Sequence, residues 1–345
     1  MPHLLCQRCG RKYENSFRLK CDCGGLLDVV YEDFSFDVQD FMDIRRYLKM
    51  LPVKEGYLPR ITLPITPILK QEFDGIHAFF KLEYLMPSGS FKDRGTYVSI
   101  AKLKENGVKR IVLDSSGNAG ISFSLFGKSE GFDVHVFIPS YTSEGKKRVL
   151  KLLGANVHEI SGSRMDTHIK AEQSGLGEYV SHWYNPYFIE GTKTIAYEAY
   201  EQIGGVDYVI APVGSGGIFI GIYRGFKDLN LKPKMIAVQA KGYESLCERN
   251  EEKSKLAEGI FIPDPPRKEE MMEIIKRSGG RCISIDDQEI KSALKDLISM
   301  GMIVEPTSAV VFAAFKKLIK GDIEKGSRVL MPLTGSGLKM FDQKI

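Results

Sequence analysis

Pro87-Ser88-Gly89-Ser90-Phe91-Lys92-Asp93-Arg94-Gly95 sets one lysine in a run of small residues. An apolar stretch, Thr96 to Leu103, follows and reads as a helix. A lysine amine condenses with an aldehyde to form a Schiff base, and pyridoxal phosphate is the usual carbonyl cofactor that uses it. A lysine aimed at solvent needs no Ser-Gly-Ser run before it. The segment alone also fits a turn followed by a charged helix cap, so both readings stay open at this point.

Three glycine-rich turns accompany the lysine. Ser115-Ser116-Gly117-Asn118-Ala119-Gly120 follows an apolar run, Arg110 to Leu113, and precedes a helical pattern, Ile121 to Gly127. A strand–turn–helix of this kind leaves backbone N–H groups and the positive end of a helix dipole facing outward, which suits a carboxylate or phosphate. Gly214-Ser215-Gly216-Gly217 repeats the arrangement between Tyr208 to Ala211 and a helix from Ile218. Glycines there let the backbone come close to an anion. The third instance is Leu330-Met331-Pro332-Leu333-Thr334-Gly335-Ser336-Gly337-Leu338-Lys339, near the C-terminal end of the sequence.

Taken together, these residues resemble the fold-type II pyridoxal-phosphate enzymes, and among them the threonine synthases. The resemblance runs from the N-terminal cysteines to Lys339, and includes Asn185 to Thr194 and Glu305-Pro306-Thr307-Ser308. It implies that Lys92 is the Schiff-base lysine and that Asn118 bonds the cofactor's phenolic oxygen. It further implies that Gly214, Ser215, Gly216 and Gly217, with the N–H of Ile218, cradle the 5′-phosphate. Thr334 would face the pyridine nitrogen. Ser115, Ser116, Gly117, Asn118 and Ala119 would hold the substrate carboxylate. A homodimer acting on a small amino-acid substrate is the implied assembly. A neutral hydroxyl at Thr334, in place of a carboxylate, favours elimination and replacement over transamination.

Two positions depart from the family pattern. Threonine synthases usually carry an arginine that grips the substrate phosphate where this chain has Phe188. An apolar ring cannot replace a guanidinium that forks onto phosphate oxygens. His182, Lys193 or Arg148 could supply that charge. Ala119 stands where many of these enzymes have threonine. Glu190, Lys193 and Glu305 lie in the family-like segments but read as solvated charges, and Trp183 reads as a core residue.

Length and composition bound the rest. The 345 residues suit two α/β lobes plus a small appendage. A net charge of +4 gives no support for nucleic-acid binding, and no apolar run reaches the roughly 18 residues of a membrane helix. No signal-peptide pattern opens the sequence, so a cytoplasmic location is expected. Cys6-x-x-Cys9 and Cys21-x-Cys23, each followed by glycine, predict a four-thiolate structural Zn²⁺ site, or a ribbon that has lost its metal. Cys247 and Cys282 stand alone and read as buried thiols.

Apolar runs alternating with helical patterns predict parallel sheets with right-handed crossovers. The predicted strands are Ala78–Leu82, Arg110–Leu113, Val134–Ile138, Asn156–Ile160, Tyr208–Ala211, Met235–Gln239 and Arg328–Met331. Helices are predicted at Lys146–Leu153 and Thr194–Gln202, and flexible excursions at Glu248–Lys255 and Pro263–Met271. The expected architecture is α/β, with two three-layer α/β/α lobes, mostly parallel sheets and a small N-terminal ribbon carrying the four cysteines. The ribbon would occupy residues 1–33, the large cofactor-binding lobe 34–95 and 190–345, and the small lobe 96–189.

The expected activity is conversion of O-phospho-L-homoserine and water to L-threonine and phosphate, with Lys92 taking protons as a free amine. The alternatives are a threonine or serine dehydratase, and a phosphoserine-dependent β-replacement enzyme of the cysteate or cysteine synthase kind. A non-catalytic pyridoxal-phosphate-binding regulator is the alternative from another class.

Overall fold

The computed structural model describes residues 2–14, 16–115 and 117–340; Ser116 therefore lies outside the described residues. In chain order the first strands are β1 (His3–Cys6), β2 (Lys12–Glu14), β3 (Leu27–Val30), β4 (Ile68–Phe73) and β5 (Ile76–Lys81). Next come β6 (Arg110–Leu113), β7 (Asp133–Pro139), β8 (Asn156–Ile160) and β9 (Glu178–Tyr179). The last are β10 (Tyr208–Pro212), β11 (Lys234–Ala240), β12 (Arg281–Ile285) and β13 (Arg328–Pro332). Helices α1 to α5 are Lys92–Glu105, Asn118–Ser129, Glu144–Leu152, Arg164–Glu172 and Pro186–Ile203. Helices α6 to α9 are Gly217–Asp228, Lys268–Ser278, Asp287–Ser299 and Pro306–Leu318.

The chain divides into two compact units, 1–64 with 92–192 and 65–91 with 193–345. Residues 34–64, expected with the larger lobe, group with the first unit. That unit holds a sheet ordered β8-β7-β6-β9, in which every pairing is parallel. Parallel strands need a crossover between them, and α2, between β6 and β7, supplies one. Strands β6 and β7 are rich in Val and Ile, and Ile111, Val112, Val134 and Val136 are fully buried. The N-terminal ribbon is a small antiparallel sheet ordered β2-β1-β3. Its following segment is tied to the rest of this unit: Phe17 N–H donates to Asn106 Oδ1 at 3.2 Å, and its ring stacks on Tyr187.

The second unit is built on six strands ordered β12-β11-β10-β13-β5-β4. All neighbours are parallel except the edge pair β4–β5. Helix α9 opens with Pro306 at its first position, where the missing N–H costs nothing, and buries nearly all its residues on this sheet. Phe312 and Phe315 pack there with Phe73, at ring distances of 5.5 and 5.4 Å. Helix α8 begins in a capping box, Asp286 with Glu289.

Several expectations change. Lys268 to Met271 is the start of α7, so the predicted excursion there is partly helical. Cys247 and Cys282 are bonded to each other as a disulfide, not free thiols. Both are only half-buried. The bridge joins β12 to the irregular segment after β11, a pairing across 35 residues that no local spacing reveals. Trp183 is half-buried, not a core residue.

Candidate functional site

In the first unit, Lys92 is the first residue of α1, and Asn118 is the first of α2. The two helix starts are pinned together. Ser122 on α2 donates to Asp93 Oδ1 at 2.6 Å and lies 2.8 Å from Thr96 Oγ1. Asp93, Ser122 and Thr96 are all fully buried, so this contact is shielded from water. Asn118 lies at the carboxyl end of β6, the place where open parallel α/β sheets commonly bind ligands. Ser115 is buried, whereas Gly117 and Asn118 are half-buried. A Cβ on Gly120 would collide with the carbonyl of Ser115, which explains the glycine that closes this turn.

Phe188 on α5 forms the wall beside Lys92. Its ring is fully buried, and Lys92 Nζ lies 5.7 Å from its centroid, within cation–π range. A Cβ on Gly95 would strike that ring, and one on Gly191 would strike the carbonyl of Arg94. Glycine at both positions lets α5 approach α1. Phe123 stacks on Phe188 at 6.4 Å and His182 stands 5.8 Å from it. Burial first, and then the charges of Lys92 and Arg164, push the His182 imidazole well below its ordinary value. It is neutral at pH 7.

Of the three residues expected to replace the missing arginine, His182 stands beside this ring. His182 is uncharged, Arg148 is exposed on α3, and Lys193 in the second unit pairs with Asp228 at 2.7 Å. The solvated reading of Glu190 and Lys193 is overturned as well. Both are nearly fully buried, and Glu190 accepts a hydrogen bond from Tyr31 at 2.8 Å.

In the second unit, Gly214, Ser215, Gly216, Gly217 and Ile218 lie buried at the carboxyl end of β10 and lead into α6. Gly216 has φ 90°, a left-handed conformation that favours glycine. A Cβ there would collide with Met271 Sδ, and one on Gly214 would lie 3.0 Å from Ile260 Cα. This space admits bare backbone alone, at the N-terminus of a 12-residue helix, and that combination fits a phosphate group. Thr334 lies just beyond β13, which neighbours β10 in parallel, so the glycine turn and Thr334 share one end of the sheet. Phe91 N–H donates to the Thr334 carbonyl at 3.0 Å, which ties the residue before Lys92 to the same end.

Sequence reasoning missed the partner of Thr334. Ser308 Oγ on α9 lies 3.0 Å from Thr334 Oγ1. The signal was present in Glu305-Pro306-Thr307-Ser308, but only the fold joins it to a residue 26 positions on.

The four N-terminal cysteines converge. Their sulfurs all lie within 4.8 Å of one another, with Cys6–Cys23 and Cys9–Cys21 both at 3.6 Å. Tetrahedral Zn²⁺ with Zn–S bonds of about 2.3 Å needs sulfurs about 3.8 Å apart, so the donor set fits. A hydrogen bond from the Tyr13 hydroxyl, 3.1 Å away, brings the Cys21 thiol down to about 6.

The comparisons agree with this geometry. The profile of the pyridoxal-phosphate dependent enzymes matches residues 62–335. A threonine synthase of Methanocaldococcus jannaschii is 32% identical, over 99% of this chain and 93% of its own. An L-threonine ammonia-lyase of Thermotoga maritima is 30% identical, over 89% of this chain and 78% of its own. Maize serine racemase superposes with a TM-score of 0.71 at 23% identity, over 80% of this chain and 89% of its own, a likeness of fold. With the family profile matching residues 62–335 and a relative 32% identical over nearly its whole length, this chain belongs to the pyridoxal-phosphate dependent enzymes.

Proposed function

We propose that this protein is a lyase that converts O-phospho-L-homoserine and water to L-threonine and phosphate. The observation that carries this reading is the 32% identity to a threonine synthase over 99% of the chain. When bound, pyridoxal phosphate supplies an aldehyde for amines and a ring that stabilises negative charge at the substrate α-carbon. Lys92 Nζ would hold the cofactor and, as a free amine, would take the α-proton, give it up again, and then take a β-proton. The N–H groups of the Gly214–Gly217 turn and Ile218 bind the cofactor phosphate. Thr334 would face the ring nitrogen, and Asn118 would donate to the phenolic oxygen. Backbone and hydroxyl groups from Ser115 to Ala119 orient the substrate carboxylate. Phosphate would then leave from the γ-carbon with its bonding pair, the γ-carbon would gain a proton, and water would add hydroxide at the β-carbon and release a proton.

A second reading, deamination of threonine or serine, is favoured by the aromatic and uncharged wall of Phe188, Phe123 and His182 beside Lys92. The discriminating experiment measures phosphate release from phosphohomoserine and phosphoserine beside keto-acid formation from threonine and serine. Threonine and phosphate in equal amounts support the synthase. Keto acid alone, with phosphohomoserine inert, replaces it with the dehydratase, and turnover of phosphoserine alone with a β-replacement enzyme. A non-catalytic regulator is disfavoured by the intact Lys92, Asn118 and Thr334.

The cysteine cluster is proposed to hold one structural Zn²⁺. Metal analysis of protein purified without chelator is expected to find about one zinc per chain. A metal-free, fully stable protein refutes that. The resemblance also carries a cytoplasmic homodimer into this reading.

A further inference from the structure

Thr334 and Ser308 are both buried, with 2% and 0% of their surfaces exposed, so their hydroxyl protons must be shared among the few acceptors nearby. Ser308 Oγ accepts the Gly335 N–H at 2.8 Å. Its own single proton has two destinations, Thr334 Oγ1 at 3.0 Å and the Gly335 carbonyl at 3.2 Å. That carbonyl already accepts the Glu305 N–H at 2.9 Å. Thr334 Oγ1 is the shorter and less engaged acceptor. Once it receives the Ser308 proton, the proton of Thr334 itself must point away from Ser308.

We propose that Ser308 is a positioning residue that donates to Thr334 and thereby turns the Thr334 hydroxyl into a donor toward the cofactor's ring nitrogen. The proposal rests on the placement of Thr334 given under Proposed function. The opposite polarity is built from the same atoms. If Ser308 gave its proton to Gly335, Thr334 would donate to Ser308 and present only lone pairs. A donor suits a ring nitrogen that carries no proton, and an acceptor suits one that does. Ser308 therefore acts on the electronic state of the ring without touching it.

The test uses the holoprotein loaded with pyridoxal phosphate that carries nitrogen-15 in the ring. Its nitrogen resonance reports directly whether that atom is protonated, whatever the substrate turns out to be. The wild-type protein is expected to show an unprotonated, hydrogen-bonded nitrogen. Ser308→Ala is expected to move that resonance and weaken cofactor binding about five- to tenfold, the factor carried by one neutral hydrogen bond. Ser308→Thr retains the hydroxyl and is expected to restore both. A purely structural role for Ser308 would lower thermal stability and leave the resonance in place, which overturns the proposal. A protonated nitrogen in the wild type also overturns it. So does a resonance that responds to Glu305→Gln and not to Ser308→Ala. Failure of the wild type to bind the cofactor overturns the proposal together with the site assignment. A bound cofactor with the wrong polarity overturns the proposal alone.

Discussion

Two turns in this molecule share one design and differ in what surrounds them. Both follow a parallel strand, contain glycines and open a helix, one before α2 and the other before α6. At the first, Gly117 has φ −96°, and nothing lies within 4 Å of where its Cβ would stand. At the second, Gly216 has φ 90°, and Met271, Gly259 and Ile260 close in around the turn. An anion held at the second meets a buried backbone with no room for a side chain. One held at the first meets a half-open edge. The closed turn suits a cofactor phosphate that stays through many turnovers, and the open one a substrate carboxylate that must leave.

The strongest way to break this comparison is Gly216→Ala. It forces an unfavourable φ and a clash with the buried Met271, at a cost of about 1–3 kcal/mol. Cofactor affinity is expected to fall roughly tenfold to a hundredfold in a fluorescence titration of apoprotein. Adding Met271→Ala should return part of that loss. Full affinity in Gly216→Ala would show that the closed turn is not the phosphate site.

The segment that walls the closed turn continues from the loop bridged by Cys247–Cys282. Tyr243 near that bridge stacks on Phe261 at 4.1 Å, next to Ile260. Replacing both cysteines with serine is expected to cost about 2–4 kcal/mol in urea unfolding, as for a crosslink of this loop length. Hydrogen exchange should rise in residues 256–262 and stay unchanged at Ser115 and Gly117. Equal rises at both turns would erase the difference between them.

Gly117→Ala is the gentler counterpart. The open space around it predicts a stability change of at most about 1 kcal/mol. Cofactor affinity should stay within about a factor of two. The KM for the amino-acid substrate is expected to rise. A loss of cofactor comparable to that of Gly216→Ala would reverse the two roles.

The smallest effect is one of pH. Asp114, just before the open turn, accepts the Tyr179 hydroxyl at 2.7 Å and lies 3.3 Å from His168 Nδ1. That carboxylate raises the His168 value above 6.5, with burial opposing it. A raised histidine stabilises the fold fully below its unfolded value near 6.5, and the contribution is lost as pH rises through the higher folded value. Exchange protection at Ser115 should therefore fall as pH rises above about 6.5. His168→Gln should flatten that slope, and an unchanged slope would remove His168 from the account.

Much of this molecule was legible from local pattern. β6 and β8 span the predicted residues and the other predicted strands differ by one or two; β6, β7 and β10 were legible because a buried parallel strand is apolar along most of its length. The lysine segment and the glycine turns declared themselves through residue type alone. β4 stayed hidden because its Lys70, Gln71 and Glu72 face solvent at a sheet edge. β12 stayed hidden because Arg281, Cys282 and Ser284 break its apolar pattern and it is only partly buried.

What tertiary structure alone decided are pairings between distant segments. Glu190 finds Tyr31, Cys247 finds Cys282, and Thr334 finds Ser308. A charged or hydroxyl side chain carries no mark of its partner in its neighbours along the chain. Burial without a partner would cost several kcal/mol, so the packing that buries such groups must also supply the acceptor or donor. The apolar pattern and turn chemistry of the sequence specify the sheets and the glycine turns that open helices. The choice between an open and a closed turn, and the direction of a hydroxyl proton, follow from which segments the fold brings against them.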